Sequence, residues 1–126
     1  MKQIINTKNA PVAIGPYSQG IKTNNLMFFS GQIPLDPTTG KVVDGGVKEQ
    51  TKQVLKNIDA LLKSQKLTAE NVIKTTVFLK DMADFATVNT EYATFFNTNP
   101  PARSCVAVSG LPLGVLVEIE VIAMCV

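Results

Sequence analysis

One arginine and two glutamates stand in segments of the sequence that otherwise read as apolar β-strands. Arg103 is the only arginine of the chain, and it lies in "PPARSCVAV" at 100–108, which reads as a buried strand entered after two prolines. Glu118 and Glu120 lie in "VLVEIEVIAMCV" at 115–126. A guanidinium can hold a carboxylate or phosphate through two parallel hydrogen bonds, which a lysine ammonium cannot do. These residues are therefore the first candidates for a binding or catalytic site.

The spacing of these residues allows a structural explanation and a functional one. The two-residue period of a strand places Glu118 and Glu120 on one face, and Arg103 and Cys105 on one face of their own strand. A buried carboxylate without a partner is costly or has a raised pKa, so an ion pair with Arg103 or an edge strand open to water would explain the glutamates. Alternatively, the arginine holds a small anion while a carboxylate orients or deprotonates water. Residue types alone leave both explanations open.

Composition excludes several other kinds of site. The chain has no histidine, which excludes a Ser-His-Asp or Cys-His nucleophile and an HExxH zinc site. It has no glycine-rich phosphate motif, so we expect no nucleotide cofactor. A net charge of +2 and the absence of tryptophan give no basic or stacking surface, so nucleic acid is not an expected partner. Cys105 and Cys125 form no CxxC pair and are expected to be small buried hydrophobes.

The length and the hydrophobic pattern predict where the chain acts and how it is organised. With 126 residues, the chain is long enough for one domain, 1–126, and too short for two. The N-terminal residues lack the apolar stretch of a signal peptide, and no apolar run approaches the roughly 20 residues of a membrane span. We therefore expect a cytoplasmic protein without membrane contact.

Hydrophobic periodicity predicts two strands, a helix, a strand, a second helix and two final strands. This order predicts parallel strand pairings, with both helices on one side of the sheet. The predicted elements are a hairpin of Gln19–Thr23 with Leu26–Ser30, a helix from Val47 to Leu62, a strand at 71–81, a helix capped by Asp81 that buries Phe85, Val88, Tyr92, Phe95 and Phe96, and strands at 102–108 and 115–126.

Two helices are too few for the number of apolar faces in the predicted sheet. The segments "LMFFSG" and "VEIEVIAMCV" carry apolar residues on both faces, as strands buried on both sides do. Two helices cover one face only. The pattern therefore predicts a homo-oligomer whose sheets pack together, with a partly solvated monomer as the alternative.

Five blocks of sequence, spread in order over nearly the whole chain, carry a family resemblance: "APVAIGPYSQG" at 10–20, "SGQIP" at 30–34, "VIKTTVFLKDMADFATVN" at 72–89, "PPARSCVAV" at 100–108 and "VEIEVIA" at 117–123. They closely resemble the RidA family, formerly called YjgF, of reactive-intermediate enamine/imine deaminases. The resemblance implies an α+β, chorismate-mutase-like domain with a mixed sheet and two helices on one face. It also implies a homotrimer with active-site clefts between subunits.

The resemblance also implies a role for each matching residue. Arg103 would hold the substrate carboxylate, and Glu118 would position the attacking water, which leaves Glu120 a structural residue. The other implied contributors are the backbone N–H of Cys105, the hydroxyl of Ser30 with the main chain of Gly31, the ring of Tyr17 from a neighbouring subunit, and Asn89 in a supporting role.

The activity implied by the resemblance needs no cofactor. Family members hydrolyse 2-aminoacrylate, 2-iminobutanoate and related acids, released by pyridoxal-phosphate dehydratases, to 2-keto acids and ammonia, which protects pyridoxal-phosphate enzymes. One alternative is a regulatory protein that binds 2-keto acids in the same cleft without turnover. A second is an RNA-acting translation inhibitor or ribonuclease, a role that nanomolar, salt-dependent RNA binding would indicate. Where many relatives carry charges in the loop after the arginine strand, this chain has the uncharged "SGLPLG" at 109–114.

Overall fold

A computed structural model describes residues 1–125 and forms them into one six-stranded sheet with two α-helices. The strands lie side by side in the order β1-β2-β3-β6-β4-β5. The elements are β1 Gln3–Ile5, β2 Gly20–Thr23, β3 Leu26–Gln32, α1 Val47–Ser64, β4 Val72–Leu79, α2 Phe85–Phe95, β5 Ala102–Ala107 and β6 Val117–Met124. The architecture is the predicted α+β domain with a mixed sheet.

Every predicted helix and strand is present, and one short strand was missed. β1 has only three residues, too few for a hydrophobic period to be visible, and it is added to the edge of the sheet by pairing with β2. The last predicted strand reached Val126, which lies outside the described residues.

The sheet order corrects three expectations. Only β4 and β5 pair in parallel, because β6 enters between β3 and β4 and runs antiparallel to both. The edge-strand explanation of the two glutamates is wrong, since β6 is an internal strand. The prediction that β5 is a buried strand is also wrong, because β5 is an edge strand and most of its residues are exposed.

Both helices pack on one face of the sheet, as predicted. Ile58 of α1 and Tyr92 of α2 join Val117 and Ile119 of β6 in one continuous hydrophobic core. The opposite face, which we call the open face, carries the intervening residues of β6 and their neighbours, and no helix within residues 1–125 covers it. It presents the side chains of Phe28, Phe78, Val106, Glu118, Glu120 and Ile122. Phe28 and Val106 remain 42% and 44% exposed there.

The start of α2 differs from the prediction. Asp81 caps a separate 3-10 turn at Met82–Asp84, where its carboxylate accepts a hydrogen bond of 2.9 Å from the backbone N–H of Ala83. α2 begins only after this turn. Phe85, predicted to be buried, is 36% exposed at the first position of α2, so one aromatic ring is left available on the surface beside β5.

Within the described part of the chain, neither helix combines the length and the apolar character that crossing a membrane requires.

Candidate active site

A cavity of about 650 Å³ lies where β3 and β6 meet two loops, and it brings together four of the predicted site residues. Tyr17, Ser30, Gly31 and Glu118 all line it. We call these four residues the pocket half of the site. The other residues that line the cavity come from the loop before β2, from β3 and the segment after it, from the turn before β6 and from β6 itself: Pro11, Val12, Ile14, Gln19, Gln32, Ile33, Leu35, Pro112, Leu113 and Glu120.

Ser30 and Gly31 occupy an irregularity in β3. The pairing of β3 with β6 is regular up to Phe29 and resumes at Gln32, so the two site residues lie at a β-bulge. Bulges bend a strand and redirect its side chains, and they are common beside active sites. Ser30 is fixed from outside the ladder: its hydroxyl donates a 2.6 Å hydrogen bond to the carbonyl of Ser18, and its backbone N–H bonds the carbonyl of Gln19 at 2.9 Å.

Glu118 lies directly against Gly31. A Cβ built at position 31 would overlap the carboxylate of Glu118, so only glycine lets the carboxylate occupy this place. Burial raises the pKa of the Glu118 carboxyl above its usual range, and the negative charge of Glu120 raises it further. The cavity therefore holds a half-buried carboxyl group that takes up a proton more readily than an ordinary glutamate.

Gln19, which sequence reasoning did not select, holds the loop that forms one wall of the cavity. Its side chain is 2% exposed and binds the loop at both ends. The carboxamide oxygen accepts a 2.6 Å hydrogen bond from the N–H of Thr7, and the carboxamide nitrogen donates to the carbonyls of Thr7 and Pro11 at 2.9 and 2.8 Å. The "GPYSQG" block contains the signal for this role, but only the structure identifies the loop that Gln19 binds.

Arg103 lies on α2 rather than in the cavity. One guanidinium nitrogen donates a 2.8 Å hydrogen bond to Oδ1 of Asn89. The guanidinium also lies over two aromatic rings, 4.7 Å from the centroid of Tyr92 and 5.5 Å from that of Phe85. Within residues 1–125 it forms no ion pair with a carboxylate, so the ion-pair explanation is not supported. The guanidinium is held in place while N–H donors remain for a ligand.

Cys105 is two residues from Arg103 on the same face of β5. The thiol is half-buried rather than buried as predicted, and Cys125 is half-buried as well. Burial raises the pKa of the Cys105 thiol, and the nearby charge of Arg103 partly opposes this. At neutral pH the protonated thiol is therefore favoured, which does not suit a nucleophile. We call Asn89, Arg103 and Cys105 the arginine half of the site.

The two halves lie on opposite faces of the sheet. Arg103 pairs with Thr75 of β4, which is completely buried under the helices, and Thr75 in turn pairs with Val121 of β6. Glu118 pairs with Phe78, which lies three residues after Thr75 in β4. Side chains an odd number of residues apart in a strand project from opposite faces, so Glu118 projects from the open face. One copy of the chain therefore cannot bring Arg103 and Glu118 to the same small molecule.

A second cavity of similar volume, about 630 Å³, lies between α1 and α2. Its lining includes Lys52 and Glu91, whose charged groups are 3.9 Å apart, and none of the predicted site residues. The predicted site residues are therefore divided between the pocket half and the arginine half, and none of them lines this second cavity.

Comparison with known proteins identifies relatives over the whole chain. The family model described as Endoribonuclease L-PSP matches residues 7–125. A RutC family protein of Pyrococcus horikoshii is 55% identical over 98% of both chains. The 2-iminobutanoate/2-iminopropanoate deaminase of Mus musculus is 48% identical, covering 98% of this chain and 92% of the mouse protein.

Solved structures of related proteins have the same fold as this chain. The E. coli protein TdcF, determined with bound serine, superposes with a TM-score of 0.92 at 43% identity and covers 98% of this chain and 99% of its own. The matches in sequence and in structure extend over all the blocks from which the resemblance was inferred. The chain belongs to the Endoribonuclease L-PSP family, which includes the RidA proteins that its motifs resemble.

Proposed function

We propose that this protein is an imine deaminase that hydrolyses 2-enamino and 2-imino acids to 2-keto acids and ammonia. The observation that carries the proposal is the half-buried carboxyl of Glu118, whose pKa is raised, in a cavity large enough for a small acid. Two relatives named 2-iminobutanoate/2-iminopropanoate deaminase, 48% and 47% identical over 98% of this chain, support it.

Arg103 would hold the substrate by its carboxylate. Its guanidinium is positioned by Asn89 and by two aromatic rings, and it is a permanent cation with a planar set of donors. The E. coli relative was solved with serine, a small amino acid whose carboxylate suits such a group. Arg103 in this role fixes the plane of the substrate and the direction from which water approaches C2.

Glu118 would move the protons. Water adds to C2 of the protonated imine, one proton of the water passes to the Glu118 carboxylate, and the π electron pair of the C=N bond moves to nitrogen. The product is a neutral carbinolamine. The protonated carboxyl then returns its proton to the nitrogen, the C–N bond breaks with its electron pair leaving on ammonia, and the hydroxyl gives its proton to the Glu118 carboxylate, which leaves a 2-keto acid and ammonia. A carboxyl group with a raised pKa is suited to both steps because it exchanges protons nearer to neutral pH.

The complete site would form between two copies of the chain. The pocket half and the arginine half face away from each other in one copy, so the Arg103 of one subunit would complete the cavity of its neighbour. The open face, with Phe28 and Val106 exposed, supports packing of the sheets against one another. We propose a homotrimer with three equivalent clefts, in which Cys105 offers its backbone N–H from the edge strand and Ser30, Gly31 and Tyr17 enclose the substrate.

A coupled assay tests the activity. A serine/threonine dehydratase generates 2-aminoacrylate, and semicarbazide traps the imine that the protein has not hydrolysed. We expect the wild type to reduce semicarbazone formation and the variants Arg103→Ala and Glu118→Ala to lose this effect, with an unchanged oligomeric state by sedimentation. The opposite outcome would be an unchanged semicarbazone yield with the wild type, together with binding of a 2-keto acid that depends on Arg103. It would mean that the protein is a regulatory binder of 2-keto acids and not a deaminase.

A further inference from the structure

A strained turn presents a leucine to the cavity of the pocket half. Leu113 has backbone angles of φ 57° and ψ 20°, which lie in the left-handed region that glycine and asparagine adopt far more readily than leucine. Its side chain is 72% exposed and lines the cavity instead of packing in the core. Strained backbone conformations of this kind concentrate at ligand-binding sites, where the surrounding structure holds them for a purpose.

Two other exposed apolar side chains line the same cavity as Leu113. Val12 and Ile14, on the loop that Gln19 holds, are 61% and 76% exposed and line the same cavity. Keeping large apolar side chains in water is unfavourable, and a cluster of them in a concave site is typical of a surface that an apolar ligand group covers. The three residues form what we call the aliphatic wall.

The charges of the cavity are of one sign. Glu118 and Glu120 line it, and no lysine or arginine of residues 1–125 does. A ligand with a second carboxylate on its side chain would place that charge near two glutamates without a cation to pair with it. Unpaired and repelling charges are an effective means of rejecting a wrong ligand.

We propose that Leu113 is a specificity-determining residue. With Val12 and Ile14 it contacts the side chain of the substrate, so that the site takes 2-imino and 2-keto acids with neutral aliphatic side chains and rejects those with acidic side chains. This inference rests on the proposed function, because Glu118, beside which C2 would lie, and the aliphatic wall line the same cavity.

Binding of two stable 2-keto acids tests the proposal without requiring turnover. The dissociation constants of 4-methyl-2-oxopentanoate and 2-oxoglutarate are measured by calorimetry for the wild type, Leu113→Lys and Leu113→Met. We expect the wild type to prefer the aliphatic acid by about tenfold or more, since contacts in an apolar pocket discriminate on this scale. Leu113→Lys should reduce this ratio by about tenfold, and Leu113→Met, which keeps an apolar side chain, should retain most of it.

Ile4→Lys is the matched control. Ile4 is 68% exposed in β1 and lines none of the cavities described here, so it adds the same charge elsewhere and should leave the ratio unchanged. Equal affinity of the wild type for the two acids, no binding of the aliphatic acid, or an unaltered ratio in Leu113→Lys would overturn the proposal. The semicarbazide assay separates the two hypotheses. Selective binding without turnover would contradict the deaminase activity and support the role of Leu113 in selectivity. Turnover without selective binding would contradict only the role of Leu113.

Discussion

The pocket half and the arginine half of the candidate site differ in how far they bury their central charged group. The pocket half is built from loops and a bulge, and its central group is a half-buried carboxyl whose pKa is raised. The arginine half is built from a regular strand and a helix, and its central group is exposed on their surface. A proton-transfer group needs an environment that shifts its pKa, whereas a guanidinium is charged in any environment.

The separation of the halves also prevents them from neutralising each other. An arginine and a glutamate within reach of one another would form an ion pair and occupy the donors and acceptors that a substrate needs. With Arg103 on the helix-covered face and Glu118 on the open face, that pair cannot form within one copy. Each half therefore stays available for a substrate, and in the proposed homotrimer a neighbouring copy would bring the two halves together.

The largest expected effect comes from combining two inactive variants. Arg103→Ala and Glu118→Gln are each expected to be inactive. In the proposed homotrimer, a ring that contains both variants would have a single cleft that joins an intact Arg103 to an intact Glu118. Hybrids isolated through two different affinity tags should therefore regain about one third of the wild-type activity.

Hybrids of two differently tagged Arg103→Ala chains serve as the control and should stay inactive. Mixed hybrids that remain as inactive as this control would show that the two halves do not complete each other.

A change that displaces one group of the pocket half should have the next largest effect. In Gly31→Ala the new methyl group occupies the position of the Glu118 carboxylate, which must move away. A displacement of about 1 Å can reduce kcat by about 100-fold, and we expect a loss of this size in the semicarbazide assay. The chain should still fold, since the displaced atoms are at the end of a flexible side chain.

Gly110→Ala is the matched control for this substitution, because a methyl group at position 110 meets no atom within 4 Å. If Gly31→Ala kept the activity of Gly110→Ala, the contact between Gly31 and Glu118 would be irrelevant to the reaction.

A milder change in the arginine half should alter binding more than chemistry. Arg103→Lys keeps the positive charge and loses the second donor of the fork and the stacking on Tyr92. A hydrogen bond to a charged group contributes about 1.5–3 kcal/mol, so KM should rise by about tenfold or more. Steady-state kinetics with 2-iminobutanoate measure this. An unchanged KM would mean that Arg103 supplies only charge.

The sequence predicted the helices and strands better than their arrangement in the sheet. The apolar stripe of α1 and the alternation of buried and more exposed residues in β6 are local patterns, so the sequence alone reveals them. The insertion of β6 between β3 and β4 depends on contacts between residues far apart in the chain, and no local pattern records it. Because strand order depends on such distant contacts, the sequence wrongly predicts that β5 is a buried strand and allows β6 to be an edge strand.

Motifs supplied the candidate site residues, but the sequence did not predict their division into two halves. Composition singled out Arg103, and the resemblance to RidA proteins supplied Tyr17, Ser30, Gly31 and Asn89. Gln19 was missed because its role consists of hydrogen bonds to a distant loop. Leu113 was seen only as part of an uncharged loop, since its left-handed backbone has no signature in a leucine.

The smallest expected effect concerns the stability of the pocket half. Burial, followed by the charge of Glu120, raises the pKa of Glu118 above 4.5, so the folded chain favours the protonated carboxyl. Such a group stabilises the fold fully below its unfolded pKa and progressively less as the pH rises through its folded pKa. Glu118→Gln, which cannot ionise, should therefore gain stability relative to the wild type as the pH rises from below 4.5, and the gain should level off above the raised pKa.

Urea unfolding at a series of pH values measures this difference in the free energy of unfolding. Glu120→Gln removes only the smaller of the two causes, so it should keep most of the pH dependence of the wild type. A difference between Glu118→Gln and the wild type that stays constant with pH, or that grows as the pH falls, would mean that Glu118 is not desolvated in solution. Any rise in the pKa of Glu118 toward neutral pH would then have to come from a neighbouring copy in the proposed homotrimer and from the substrate, not from the pocket half itself.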